Sequence, residues 1–241
     1  MSINLMTFNI HGGRARDGLR DINRLNQLLN EMNVDIGVFQ EVETRISRNG
    51  CKEDVASLAG ANHPYHLIAP SIIEKDGWYG NLIVSKYPIV RGLVHNLETT
   101  VQYEPRNAVD ALIETPLGKL RVIGTHLSLS IFERRSEARN LIRLINAVED
   151  KEKNPILLMG DINEWQRPSK LLKFLDSHLT PVVCQATFPS WFPVLKLDRV
   201  WYSGPHLEVS AARLNTGKIS KLSDHLPVLV RVKSKSSKVN C

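Results

Sequence analysis

Ser223-Asp224-His225-Leu226-Pro227 stands at the start of the last apolar run of the chain, and its side chains can hold a cation, bind water or carry a proton. Three stretches far upstream carry residues of the same kind: TFNIHGG (Thr7 to Gly13), FQEV (Phe39 to Val42) and GDIN (Gly160 to Asn163). Each places a polar side chain where an apolar strand run gives out. Strand ends on one edge of a sheet meet in space however distant they are in sequence. Asn, Glu, Asp, Asn, Asp and His together suit a hydrolase that holds a hard divalent cation and activates water. The chemistry they point to is that of a metal-dependent phosphoesterase.

The elements that would position them follow from hydrophobic period. Ile3 to Ile10 reads as a strand, and Ile22, Leu25, Leu28, Leu29 and Met32 then recur at helical spacing. A buried-type strand, Asp35 to Val42, follows, and this strand–helix–strand opening predicts an α/β protein with parallel pairing. Between Leu82 and Thr115 the pattern changes to short β-rich runs (Leu82–Val84, Ile89–Leu97, Ala108–Glu114). Turn signals at Tyr87-Pro88 and Tyr103-Glu104-Pro105 part them, which predicts antiparallel neighbours. Thr115-Pro116-Leu117-Gly118 predicts a tight turn into the strand Leu120 to Thr125. A second helix, about Glu133 to Val148, buries Ala138, Leu141, Ile142, Ile145 and Val148 on one face. Pro155 to Met159 is an apolar strand, Ser169 to Leu175 a short helix, and Leu197–Trp201, Leu207–Leu214 and Pro227–Val232 complete the sheets. With no repeat and no linker, residues 1–233 read as one domain with two sheets, and 234–241 as a flexible basic tail.

The 241 residues and an apolar share of 42% suit a globular core. A net charge of +6 and a pI of about 9.3 fit a phosphate-rich partner, although Lys233, Lys235 and Lys238 supply part of the excess. Cys51, Cys184 and Cys241 are odd in number and lack metal-type spacing, so neither a disulfide framework nor a zinc cluster is indicated. No stretch reaches the length of a membrane span and the N-terminus has no signal-peptide pattern, so the expectation is a cytoplasmic monomer.

The full set of stretches, in order TFNIHGG, DIGVFQEV, GNLIVSKYPI (Gly80 to Ile89), GTHL (Gly124 to Leu127), LLMGDIN, LDRVW (Leu197 to Trp201) and SDHLPV, resembles the endonuclease/exonuclease/phosphatase superfamily over nearly the whole chain. The resemblance implies an α/β fold: a four-layer sandwich of two mixed sheets flanked by helices, as in deoxyribonuclease I, with the active site at one edge. It also implies Mg²⁺, or Mn²⁺, as cofactor, with Glu41 as principal ligand beside Asn9 and Asp224. Read alone, Glu41 is also an ordinary carboxylate after a strand, and Asn9 equally a turn-forming residue. By the same resemblance Asp161 orients or deprotonates the attacking water, Asn163 donates to the phosphate, and Asp198 fixes the tautomer of His225 and favours its charged form. Asx-turn formation is the plainer alternative for Asp161 and Asn163. His126 matches a histidine near the leaving-group oxygen, Arg106 an arginine on the phosphate, and Asn81 a weaker candidate at the same phosphate. Ile162 stands where Phe is more common, without chemical consequence. His11 departs from abasic-site endonucleases, which have an aspartate there, and is a candidate for altered metal binding or substrate contact. His63, His66, His95, His178 and His206 fall in no such stretch and read as structural or surface residues.

The substrate lies in the loops. The inositol 5-phosphatase signature is absent, and Thr187 to Pro193 also lacks the aromatic run of abasic-site endonucleases. Trp191 and Phe192 offer an apolar rim for a lipid, a stacking platform for a base, or a fold back onto the core. Arg135, Arg139 and Arg143 form a stripe that is either a solvated helix face or a phosphate track. The main expectation is a phosphodiesterase on nucleic acid or a phospholipid-like diester. A phosphomonoesterase on a small molecule is the runner-up, and a silent phosphate-binding scaffold the reading from another class.

Overall fold

The computed structural model describes residues 1–97 and 104–235, so most of the basic tail and Tyr103 of one expected turn lie outside the described residues. The chain runs β1 (Ser2–Asn9), α1 (Asn23–Glu31), β2 (Ile36–Glu43), α2 (Asp54–Ala59), β3 (Tyr65–Glu74), β4 (Gly77–Ser85), β5 (Ile89–Asn96), β6 (Asn107–Thr115), β7 (Gly118–His126), α3 (Ile131–Glu152), β8 (Ile156–Asp161), α4 (Lys170–Asp176), β9 (Thr180–Val182), β10 (Asp198–Ser203), β11 (Leu207–Arg213) and β12 (Val228–Ser234).

Two six-stranded sheets form, in the orders β11-β12-β1-β2-β4-β3 and β5-β6-β7-β8-β10-β9. Each contains one parallel pair, β1–β2 and β7–β8, bridged by α1 and α3, and the other pairs are antiparallel. The sheets are mixed because these two connections carry their helix across to a parallel neighbour, while the other strands pair with antiparallel neighbours. Their central strands are apolar in nearly every position because both faces are covered. In β1, Ile3 and Leu5 pack between the sheets against Val109, Val122 and Val230, whereas Met6 and Phe8 face the helix layer with Leu25 and Leu29. On the far side Ala138, Leu141, Ile142 and Ile145 of α3 pack on Ile123, Leu158 and Trp201. The result is the four-layer sandwich: helices, sheet, sheet, helices.

The layers fix which chain ends meet. The C-terminal ends of β1, β2, β7 and β8, the start of β10 and the segment before β12 converge on one edge. In register, His126 pairs with Asp161 across β7–β8, and Asp198 with Asp161 across β10–β8, so three polar residues lie side by side on one sheet. Asn9 pairs with Gln40 on the other sheet, next to Glu41.

Candidate active site

Glu41 reaches the cleft through a break in its strand. The β2–β4 register shifts between Phe39 and Val42, and Glu41 has φ +58°, a left-handed value that non-glycine residues seldom adopt. His11 (φ +48°) and Asn163 (φ +53°) share that conformation. Such strain persists only where the surroundings hold it and gathers at functional sites.

Asn9, almost fully buried, ties the two sheets together. Its Nδ2 donates to Glu41 Oε1 at 2.8 Å and to Asp161 Oδ2 at 3.0 Å, while its Oδ1 accepts from the His11 N–H at 3.1 Å. Asp161 Oδ1 accepts from the Asn163 N–H at 3.0 Å. The turn's plain structural function and its place in the cluster therefore coexist. Ser223 Oγ donates to the Asn9 carbonyl at 2.8 Å, and Ser190 N–H donates to the Asp224 carbonyl at 2.7 Å, which anchors the 223–225 segment beside β1.

The histidine pair forms as expected. His225 Nδ1 lies 2.8 Å from Asp198 Oδ2, its Nε2 lies 3.6 Å from Asp161 Oδ2, and the Phe188 ring packs beside the imidazole at 5.0 Å. Asp198 Oδ2 also accepts from Thr187 Oγ1 at 2.5 Å. Burial opposes charge on His225, but the Asp198 and Asp161 carboxylates outweigh it and raise the imidazole to about 10. Burial, helped by Asp198, pushes Asp161 up to about 6 against the pull of His225.

His126 is the opposite case. Burial, then Arg106 and His225, hold it well below the ordinary histidine range, so it is neutral. Arg106 Nη1 faces Nδ1 at 3.0 Å. Nε2 lies 3.6 Å from Asp161 Oδ2 and 3.9 Å from Glu41 Oε1. Asn163 Nδ2 lies 3.1 Å from the same Nε2 and donates to the Leu127 carbonyl at 2.9 Å. One cluster thus holds a charged and a neutral imidazole on either side of one carboxylate.

A cavity of about 500 Å³ opens onto this cluster, lined on its polar side by His11, Glu41, Asp161, Asn163, Asp224 and His225. His11 Nδ1 stands 3.7 Å from Glu41 and 3.6 Å from Asp224. Leu129, Trp165, Phe188, Leu195 and Leu197 form an apolar wall. Asn81 does not reach this cavity. It is buried beside it, where Nδ2 donates to Asn107 Oδ1 at 2.8 Å, and acts as a brace between β4 and β6. Arg139 and Arg143 follow Arg135 along α3 away from the mouth, so the stripe does not track the cleft; at 1.5 Å per residue Arg143 lies about 12 Å farther along the helix axis. The remaining histidines keep out of the site. His63 is buried against the Ala59 and Val34 carbonyls, and His95 lies 2.8 Å from Asp110.

Several contributors carried no readable signal. Thr187 and Tyr79 belong to no polar strand-end pattern, and Glu104, 2.9 Å from Arg106, is an isolated carboxylate in sequence. Trp165, two residues past Asn163, was the one recoverable clue: an exposed aromatic directly after a polar turn.

The comparisons agree with this geometry. The YbhP protein of Escherichia coli strain K12 is 29% identical over 256 residues, covering 96% of each chain. An endonuclease/exonuclease/phosphatase structure from Beutenbergia cavernae superposes with a TM-score of 0.78 at 21% identity, over 97% of this chain and 72% of that one. A mannosyl-6-phosphatase of Bacteroides thetaiotaomicron superposes with 0.76 at 16% identity, over 96% and 99%. The family model spans residues 6–225, from the middle of β1 to the His225 of the histidine pair, so both ends of the cluster fall within it. The chain belongs to the Endonuclease/Exonuclease/phosphatase family, whose members hydrolyse phosphoester bonds and generally use divalent metals.

Proposed function

We propose that the protein is a metal-dependent phosphodiesterase. The observation that carries the reading is the continuous chain Asp198–His225–Asp161–Asn9–Glu41 along the floor of one cavity. Glu41, Asp161 and Asp224 bring carboxylate oxygens to one mouth with the Asn9 amide between the first two, and among the described residues no lysine or arginine pairs with Glu41 or Asp224. An oxygen-rich, carboxylate-dominated set fits Mg²⁺ or Mn²⁺, with Glu41, Asn9 and Asp224 as the residues to hold it. Bound there, the cation would offset charge on the phosphate.

Asp161 Oδ2 takes a proton from the attacking water, a task suited to a carboxyl raised towards neutrality. His225, kept protonated by Asp198, presents Nε2–H to a non-bridging phosphate oxygen as negative charge grows there. The P–O bond to the ester oxygen breaks as the water oxygen bonds to phosphorus; the ester oxygen takes a proton from solvent and departs as an alcohol, and Asp161 returns the water's proton to solvent. His126 and Arg106 fill the side of the cavity next to Asn163.

A diester is favoured over a monoester by charge. A dianionic monoester needs several cationic contacts, whereas Arg106 is the one arginine among the described residues that line the cavity and already pairs with Glu104. The apolar wall supports a substrate with an organic group beside the phosphate, from a nucleic acid or a phospholipid-like diester. The test is an activity panel with Mg²⁺ or Mn²⁺ on bis-para-nitrophenyl phosphate, para-nitrophenyl phosphate, plasmid DNA, RNA and sphingomyelin. Faster turnover of the monoester than of every diester would overturn the reading.

A further inference from the structure

We infer that the catalytic edge is a docking face for an anionic phospholipid bilayer. Sixteen large apolar side chains are exposed among the described residues, and nine of them occupy the loops or element ends that ring the cavity mouth. Leu19 and Ile46 project from the segments after β1 and β2, and Ile73 from the tip of the β3–β4 hairpin. Leu129 and Phe132 stand at the start of α3, and Trp165 follows β8. Trp191, Phe192 and Val194 crown a loop closed by Phe188–Leu195 pairing. The turns 60–64, 86–88, 116–117 and 204–206 at the opposite edge carry none, and the strand starts there add three, Met1, Tyr65 and Val90. A patch so concentrated on one edge marks an interaction surface rather than scattered exposure.

Charge on the same loops selects the occupant. Arg14, Arg16, Arg48, Arg167, Lys218 and Lys221 are exposed there, and among the described residues no carboxylate is paired with them. Of the acids on these loops, Asp17 pairs with Arg24, Asp54 with Arg20, and Asp76 accepts the Ser47 N–H, while Asp21 and Glu53 are exposed beside them and Glu41 and Asp224 face the cavity. Basic residues interleaved with apolar tips complement a negatively charged lipid surface. A nucleic-acid strand would use the arginines, but Leu19, Ile46, Ile73, Leu129 and Val194 are aliphatic and cannot stack on bases. Trp165 and Trp191 each carry a guanidinium on one ring face, Arg134 at 4.7 Å and Arg16 at 4.5 Å. That amphipathic arrangement suits the headgroup level of a bilayer. Docked this way, the cavity faces the membrane plane and receives a headgroup phosphodiester without the lipid leaving the bilayer. The substrate part of this inference rests on the phosphodiesterase reading; the docking part does not.

The test is flotation of the full chain with vesicles of phosphatidylcholine alone and of equimolar phosphatidylcholine and phosphatidylglycerol, without added metal so that binding is read apart from hydrolysis. The wild type should float with the anionic vesicles and far less with the neutral ones. A variant carrying Ile73→Ser, Phe132→Ser and Phe192→Ser, none of which lines the cavity, should lose binding by roughly tenfold or more as its apolar insertion is removed. It should keep its circular dichroism spectrum and its hydrolysis of soluble bis-para-nitrophenyl phosphate. Absence of wild-type binding to either vesicle, or equal binding by the variant, would overturn the inference. So would light scattering that shows a dimer which the variant dissolves, since the face would then belong to a second copy. Vesicle binding without phosphodiesterase activity would leave the docking face standing and remove only the catalytic reading.

Discussion

Glu137 in the second turn of α3 offers a quantitative check on the site's supporting layer. Its side chain is buried, and Oε2 accepts the Ser128 N–H at 2.9 Å, just past the His126 strand end. Burial pushes its carboxyl from 4.5 up to about 7, although the Ser128 bond and the Arg106 and Arg134 charges pull the other way. Because the folded value lies above the unfolded one, the group's contribution to stability is whole below about pH 4.5 and is lost as pH rises to about 7. At 1.36 kcal/mol per unit, the ionised carboxylate costs the fold about 3 kcal/mol at pH 8. Glu137→Gln removes that charge and keeps an oxygen for Ser128. For a domain of this size, about 2–4 °C per kcal/mol, the Tm advantage of the variant over wild type should grow by roughly 6–12 °C between pH 4.5 and pH 8. Circular dichroism melts across that range measure it. A difference that stays constant with pH, or shrinks, would refute the burial argument.

Glu41→Gln should lower turnover at least ~100-fold and raise the Mg²⁺ concentration needed, with the melting curve unchanged; this follows from its place among the oxygen donors. Asp198→Asn should harm turnover nearly as much as His225→Ala, and the double variant should be scarcely worse than either, since the two act as a unit. Additive rate losses, or a folding defect that accounts for them, would break the pair. Gly160→Ala should destabilise by about 3 kcal/mol or prevent folding, because its Cβ would fall 2.0 Å from the Thr125 carbonyl oxygen at φ +147°; a variant melting like wild type would contradict the close β7–β8 approach. Arg139→Ala with Arg143→Ala should leave hydrolysis and its salt dependence unchanged, as both residues lead away from the mouth.

The strands that sequence reveals best are those buried on both faces. β1, β2 and β8 read as unbroken apolar runs because each lies between a helix layer and a second sheet. β3 shows no such run for the opposite reason: it is an edge strand, buried only at Ala69 and interrupted by Pro70. α2 and β9, of six and three residues, are too short for a period to emerge. β4 begins five residues earlier than its apolar core, at Gly77, since Trp78 and Tyr79 pair beyond the buried stretch. Among site residues, strand-end carboxylates and amides announce themselves because a polar group ending an apolar run is unusual. Thr187, Tyr79 and Glu137 do not, because their importance arises only from what the fold sets beside them. Asn81 misleads for a related reason: a buried asparagine next to the cleft is held by another asparagine, and sequence cannot show which way it turns.

Asn9 has a consequence for how the molecule ages under stress. Its single amide group spans the two sheets at the site, with Glu41 on one side and Asp161 on the other, as the Asn81–Asn107 pair does farther along the interface. A slip of one slab against the other by a fraction of a bond length is tolerable to the core but not to two hydrogen bonds of 2.8 and 3.0 Å. The cluster therefore works as a gauge of alignment between the halves. Catalysis should fade on warming several degrees before the strands come apart, and core substitutions far from the mouth, such as Val38→Ala between the sheets, should be felt in rate before they are felt in melting.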